Sequence, residues 1–241
     1  VVICHGFKGF KDWGFFPHTA ERLARAGFTA VSFNTSGSGV GDDGESFDEL
    51  ERWGHQRLTG DLADLSTVVD YAAAQGAPSV GLLGHSRGGG TAILHAARDP
   101  RVTSLTTWAA VSTFTRWSED DLTRWRREGR LDVVNLRTGQ VLPMFRDSLD
   151  DLEANRDRLD ILAAAARVRV PWLIVHGTED ESVPLEDGLA LERASGSRGT
   201  ALLQVEGGSH TFGVRHPWAG STPAFDQVLE RTVAFFSAAL R

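Results

Sequence analysis

Val80-Gly81-Leu82-Leu83-Gly84-His85-Ser86-Arg87-Gly88-Gly89-Gly90 decides the fold of this chain. Val80 to Leu83 is an apolar run short enough for a buried strand. The residues from Gly88 onward open a small-residue segment that reads as a helix to about Arg98, stopped by Pro100. Ser86 sits between them in Gly-x-Ser-x-Gly, with Gly84 and Gly88 leaving room for a sharp, strained turn. Such a turn lifts a hydroxyl above the edge of a sheet, at the positive end of the following helix. The pentapeptide is weak alone and strong between a strand and a helix.

Working outward, apolar runs alternate with amphipathic ones, as in a parallel sheet covered by helices. The runs are Val1 to Cys4, Thr29 to Phe33, Val80 to Leu83, Leu105 to Val111, Trp172 to Val175 and Ala201 to Val205. Their near-continuous apolar character predicts strands buried on both faces. Helices are expected over Pro17 to Ala26, around Leu62 to Ala72 and over Ala224 to Leu240. Residues 112–169 exceed what one crossover needs: a charged helix (Glu119 to Arg127), a hairpin (Leu131 to Leu136 with Val141 to Met144) and a helix from Asp151 to Ala166. This stretch reads as a lid inserted within a single domain spanning 1–241.

A serine hydroxyl needs a base within reach. Of eight histidines, His210 follows the last strand in Glu206-Gly207-Gly208-Ser209-His210, a loop able to turn an imidazole over the sheet. Trp172 to Val175 leads into His176-Gly177-Thr178-Glu179-Asp180, which offers Asp180 to orient that imidazole, with Glu179 and Glu181 as rivals. The backbone N–H groups of Arg87 and of Phe7, in His5-Gly6-Phe7, are the expected oxyanion donors. Each such donor lowers a barrier by about 3–4 kcal/mol.

These four motifs, in this order, resemble the α/β-hydrolase superfamily across nearly the whole chain. Within it the chain resembles small bacterial esterases, the cinnamoyl and feruloyl esterases among them, with a lid after the sixth family strand. It also resembles the dipeptidyl aminopeptidase and acylaminoacyl peptidase branch. The resemblance implies a carboxylesterase with Ser86, His210 and Asp180 as triad. A serine peptidase, amidase or thioesterase is the rival on the same fold, and a non-catalytic binding member the more distant one. The family has two further strands before the His-Gly loop, so the chain starts at the equivalent of the third strand, and a sheet edge is expected to be exposed.

Composition is that of an ordinary globular protein, 41% hydrophobic and 24% charged, with net charge -7. No basic stripe suits a nucleic acid: Arg124, Arg126, Arg127 and Arg130 are interleaved with acids. No run is long enough to span a bilayer and no leader is visible, so a cytoplasmic protein acting on a small-molecule ester is expected. The single cysteine, Cys4, reads as a buried apolar residue. Asn34 to Gly41 has its glycines misspaced for a dinucleotide and reads as a mobile loop on the active-site side. His85 is expected to pack beneath Ser86. No zinc-type histidine spacing occurs, so neither a metal nor a cofactor is expected. Trp13, Trp117, Trp125, His216 and Trp218 are candidates for the pocket wall.

Overall fold

The computed structural model describes residues 1–240. Six strands form one parallel sheet: β1 (Val2–Cys4), β2 (Val31–Phe33), β3 (Val80–His85), β4 (Val102–Trp108), β7 (Trp172–Gly177) and β8 (Thr200–Val205). Their order is β2-β1-β3-β4-β7-β8, and every neighbouring pair runs parallel. A separate two-stranded ribbon pairs β5 (Arg130–Val134) with β6 (Val141–Phe145) antiparallel.

Because side chains alternate along a strand, each strand feeds two cores. Val2, Cys4, Leu82, Leu105, Trp172 and Ile174 face one side, packed by α3 (Leu58–Ala74), α4 (Arg87–Ala96), α7 (Ile161–Ala165) and α8 (Leu185–Ala194). Ile3, Leu83, Trp108, Leu173 and Val175 face the other, under α1 (Phe16–Arg25) and α9 (Pro223–Ala239). This is the α/β-hydrolase architecture.

Two strands depart from the expectation of burial on both faces. β2 is half-buried throughout, and β8 has only Val205 fully buried. They are the sheet's two edges, where one neighbour is lacking, so an apolar run does not by itself place a strand at the centre.

Residues 112–169 hold α5 (Glu119–Glu128), the β5–β6 ribbon, α6 (Arg146–Ala154) and α7. The continuous helix expected over Asp151 to Ala166 is two helices. Asn155 ends α6, and the Asp160 carboxylate accepts from Ala163 N–H to cap α7. Short polar side chains that bond the backbone interrupt a helix in this way. Two helices escaped the periodicity reading: α8 and the short α2 (Leu50–Gly54).

The ribbon is not free-standing. Leu142 and Val133 pack with Phe10, Phe47 and Trp53, while Leu131 and Met144 pack with Leu122, Trp125 and Leu149. Phe7 touches both clusters. The loop after β2, expected to be mobile, lies against α2 instead. Val40 and Phe47 are buried, and a Cβ on Gly39 would come within 2.6 Å of the Trp53 side chain. Among the described residues no helix is long and apolar enough to cross a membrane.

Candidate active site

Ser86 stands between β3 and α4 with φ 56° and ψ −122°. A non-glycine residue held there is strained, and such strain persists only where the surroundings over-determine it. They do so here: Ser86 N–H donates to Trp108 O at 2.9 Å, and Ser86 O accepts from Gly89 N–H at 2.9 Å. The glycines answer to contacts rather than to the turn alone. A Cβ on Gly84 would lie 2.4 Å from Gly88 O, and one on Gly88 would lie 2.3 Å from His5 O. The end of β1 is thus pressed against the start of α4, and Gly6 approaches within 2.9 Å (hypothetical Cβ to Ser86 Cβ).

Asp180 and His210 leave the C-terminal ends of β7 and β8. His210 Nδ1 lies 2.8 Å and 3.0 Å from the two Asp180 carboxylate oxygens. An ionised carboxylate only accepts, so the ring proton sits on Nδ1 and Nε2 keeps its lone pair. Burial alone would raise the Asp180 carboxyl. The hydrogen bond and charge of His210, with backbone N–H bonds from Val183 and Ser182, overcome that and hold it below the usual carboxylate range. Glu181, the rival acid, takes the His210 backbone N–H at 3.3 Å instead. Glu179 is exposed on the neighbouring turn.

Ser86 and His210 line one cavity of about 370 Å³. No hydrogen bond joins their side chains directly among the described residues. A serine and base often stand apart until substrate tightens the contact. Phe7 and Arg87, the residues whose backbone N–H groups are the expected oxyanion donors, line the same cavity.

Two of the buried histidines brace the loops around Ser86. His5 Nε2 accepts from Thr35 N–H at 3.3 Å, so its Nδ1 carries the proton and donates to Gly6 O at 3.0 Å. Burial, opposed by that bond and aided by the Arg87 charge, lowers it to about 4. His85 lies against the His210 ring, with centroids 4.7 Å apart, rather than simply beneath Ser86. Burial and the neighbouring His210 lower it to about 3.

The expected pocket residues divide. Trp117 and Trp125 line the cavity, edge to face at 5.7 Å. Trp13, His216 and Trp218 do not. Trp13 stacks on His216, whose Nδ1 accepts from Gly14 N–H at 3.0 Å, and Trp218 stacks on His18. Trp13 packs against the apolar clusters beside the loop after β1 and His216 lies against Phe10, whereas Trp218 is exposed. Lys8, Gln56, Phe114, Arg116, Met144 and Ser148 also line the cavity and were missed. They come from scattered segments with no shared spacing, so no motif could reveal them. Cys4 is buried, and burial with the nearby Asp61 charge pushes its thiol far up, which leaves it unreactive.

A family model described as "Serine aminopeptidase, S33" matches residues 1–157. The 2,6-dihydropseudooxynicotine hydrolase of Paenarthrobacter nicotinovorans is 25% identical over 192 residues, covering 77% of this chain and 45% of that protein. A structure of metagenome-derived lipolytic enzymes, LipS and LipT, superposes with TM-score 0.77 at 20% identity, covering 98% of this chain and 92% of the other. Est1E of Butyrivibrio proteoclasticus with ferulic acid bound gives 0.75 at 20% identity, covering 99% and 88%. Structural identities this low speak for the fold alone.

Proposed function

The chain belongs to the serine aminopeptidase S33 family of α/β-hydrolases, a family of hydrolytic enzymes, and from that premise we propose that it cleaves carboxylic esters through an acyl-enzyme on Ser86. One observation carries the reading: a serine at a strained strand-to-helix turn shares a cavity with a histidine whose Nδ1 is held by a buried carboxylate. In this mechanism His210 Nε2 takes the Ser86 proton as Oγ attacks the carbonyl carbon. Asp180 stabilises the imidazolium that forms. The N–H groups of Phe7 and Arg87 receive the developing oxyanion, and the N-terminus of α4 adds its positive end. The imidazolium then protonates the leaving alcohol, and a water repeats the sequence to free the acid.

The family description favours a rival, cleavage of an amide next to a free amino terminus. Holding that terminus calls for a carboxylate in the cavity. The wall instead presents Lys8, Arg87 and Arg116, with no acidic side chain among the described lining residues. Its other lining is largely aromatic and aliphatic, which suits an apolar or aryl acyl group. Segment 112–169 contributes Trp117, Trp125, Met144, Ser148 and Leu152 to that wall, in keeping with a lid that shapes the pocket within one domain.

The test is hydrolysis of p-nitrophenyl esters from acetate to decanoate, a feruloyl ester and alanine p-nitroanilide, with wild type beside Ser86→Ala. Ester turnover lost in the variant supports the reading. Preference for the anilide, or activity surviving without Ser86, overturns it.

A further inference from the structure

Three cations face the cavity, and two of them are already neutralised. Arg87 Nη2 lies 3.0 Å from the buried Asp61 carboxylate, and its guanidinium also donates to Gln56 and stands 5.1 Å over the Phe7 ring. Arg116 lies 3.2 Å from Asp187 and donates to Ser182 O. Lys8 differs. Its Nζ donates to Val134 O at 3.1 Å and stands 5.6 Å from the Phe7 ring centroid, and it meets no carboxylate among the described residues. Two of its three ammonium protons are therefore free to meet a ligand.

Its backbone is unusual as well. Lys8 has φ 57°, in the left-handed region where glycine sits more readily, and Gly9 follows it directly. A lysine held there, next to the Phe7 N–H expected to face the oxyanion, has its side chain directed by the same loop that shapes the hole. Partial burial with no counter-charge pulls its ammonium below the ordinary lysine value. The molecule as a whole carries a net charge of -7, which repels an anionic substrate at long range. An anion entering this cavity would need a local cation to receive it.

We infer that Lys8 is a specificity-determining residue that anchors a carboxylate on the substrate, so that the substrates are esters bearing an acid group a few bonds from the scissile carbonyl. This rests on the ester-hydrolase reading and deepens it. No new covalent step is involved: the ester bond breaks by water as before, and the carboxylate is only bound.

The experiment compares phenyl hexanoate with monophenyl adipate, which places a carboxylate on an acyl chain of the same length. Phenol release gives kcat/KM for wild type, Lys8→Met and Lys8→Arg. The neutral ester normalises any general damage to the loop. The quantity read is the preference for the anionic ester over the neutral one. Loss of a charged hydrogen bond should reduce that preference about 10–100-fold in Lys8→Met, mostly through KM. Lys8→Arg should retain most of it, and about 0.5 M salt should narrow it in wild type. An equal loss on both esters in Lys8→Met, or no dependence of the preference on Lys8, overturns the assignment and leaves Lys8 as a strut to Val134.

A calorimetric arm separates the two readings. 4-Phenylbutyrate and 4-phenylbutanol are titrated into wild type and Lys8→Met. If neither ester is turned over, the ester-hydrolase reading fails, and the calorimetry alone decides the anchor. Tighter binding of the acid than the alcohol, lost in Lys8→Met, supports it; equal binding of both ligands sinks it.

Discussion

His85 Nε2 donates to the backbone carbonyl of His210 across 3.0 Å, although 124 residues separate them in the chain. The residue just before the candidate nucleophile thus props the loop that carries the candidate base. Through this bond the turn after β3 and the loop after β8 are positioned against each other directly, not only through the sheet. His176 supports the third loop in a similar way: it is fully buried, and its Nε2 donates to Val183 O at 2.8 Å, beside Asp180.

Asp180→Asn replaces an acceptor-only group with one that can favour the wrong imidazole tautomer. The expected outcome is a fall in kcat of about 10³–10⁴-fold with the fold retained. Steady-state kinetics beside circular dichroism checks this, and near-normal kcat in a folded variant removes Asp180 from its role.

Gly88→Ala would drive a Cβ to 2.3 Å from a backbone oxygen that cannot yield. It should cost about 3 kcal/mol or more and abolish turnover. Gly60→Ala is the contrast, in the first turn of α3 with Arg57 Cβ, at 3.8 Å, as its only close neighbour. Removing glycine there should add up to about 1 kcal/mol and raise Tm by about 2–4 °C. Thermal melts of both variants decide the matter, and similar Tm values would contradict it.

Acid should weaken the fold before ordinary carboxylates titrate. His5 and His85 are lowered from 6.5 to about 4 and about 3, so the unfolded chain binds their protons first. Their contribution is complete above pH 6.5 and is lost as pH falls toward those values, by about 1.4 kcal/mol per pH unit each. Asp61 works the other way. Burial, partly offset by the Arg87 charge, raises it from 3.8 to about 6, and the proton the folded state takes up between those values returns stability as pH falls. Between about pH 6 and 4 these three groups together therefore leave a slope close to that of one histidine. Asp61→Asn removes the offset and should steepen the slope in urea unfolding by about 1.4 kcal/mol per pH unit. An unchanged slope would falsify the assignment of Asp61 as the opposing group.

Trp117 and Trp125 meet edge to face on the cavity wall, but only Trp125 is fully buried, at 1% exposure. Trp117→Ala should enlarge the cavity and move the best p-nitrophenyl ester toward longer acyl chains. Trp125→Ala should cost about 3–5 kcal/mol of stability. If both variants unfold at the wild-type urea midpoint, Trp125 is not the core residue described.

The strand–serine–helix stretch, the alternation of apolar runs and the order of the loops were legible in the sequence by itself. Each depends on local rules: strand length, helical spacing, and the glycines a sharp turn demands. The parallel sheet follows from those rules, since buried parallel strands must be covered on both faces. The tertiary structure alone decided the rest. Which aromatics reach the cavity is one example: Trp117 and Trp125 line it while Trp13, His216 and Trp218 lie elsewhere. Lys8, Gln56 and Arg116 become neighbours only when segment 112–169 folds onto the loop after β1 through Phe7. The charge balance of the cavity was equally invisible, because Asp61 and Asp187, from distant helices, neutralise two arginines and leave Lys8 without a carboxylate among the described residues. Spacing along a chain records which residues share a local element; it holds no record of which distant charges that element will meet.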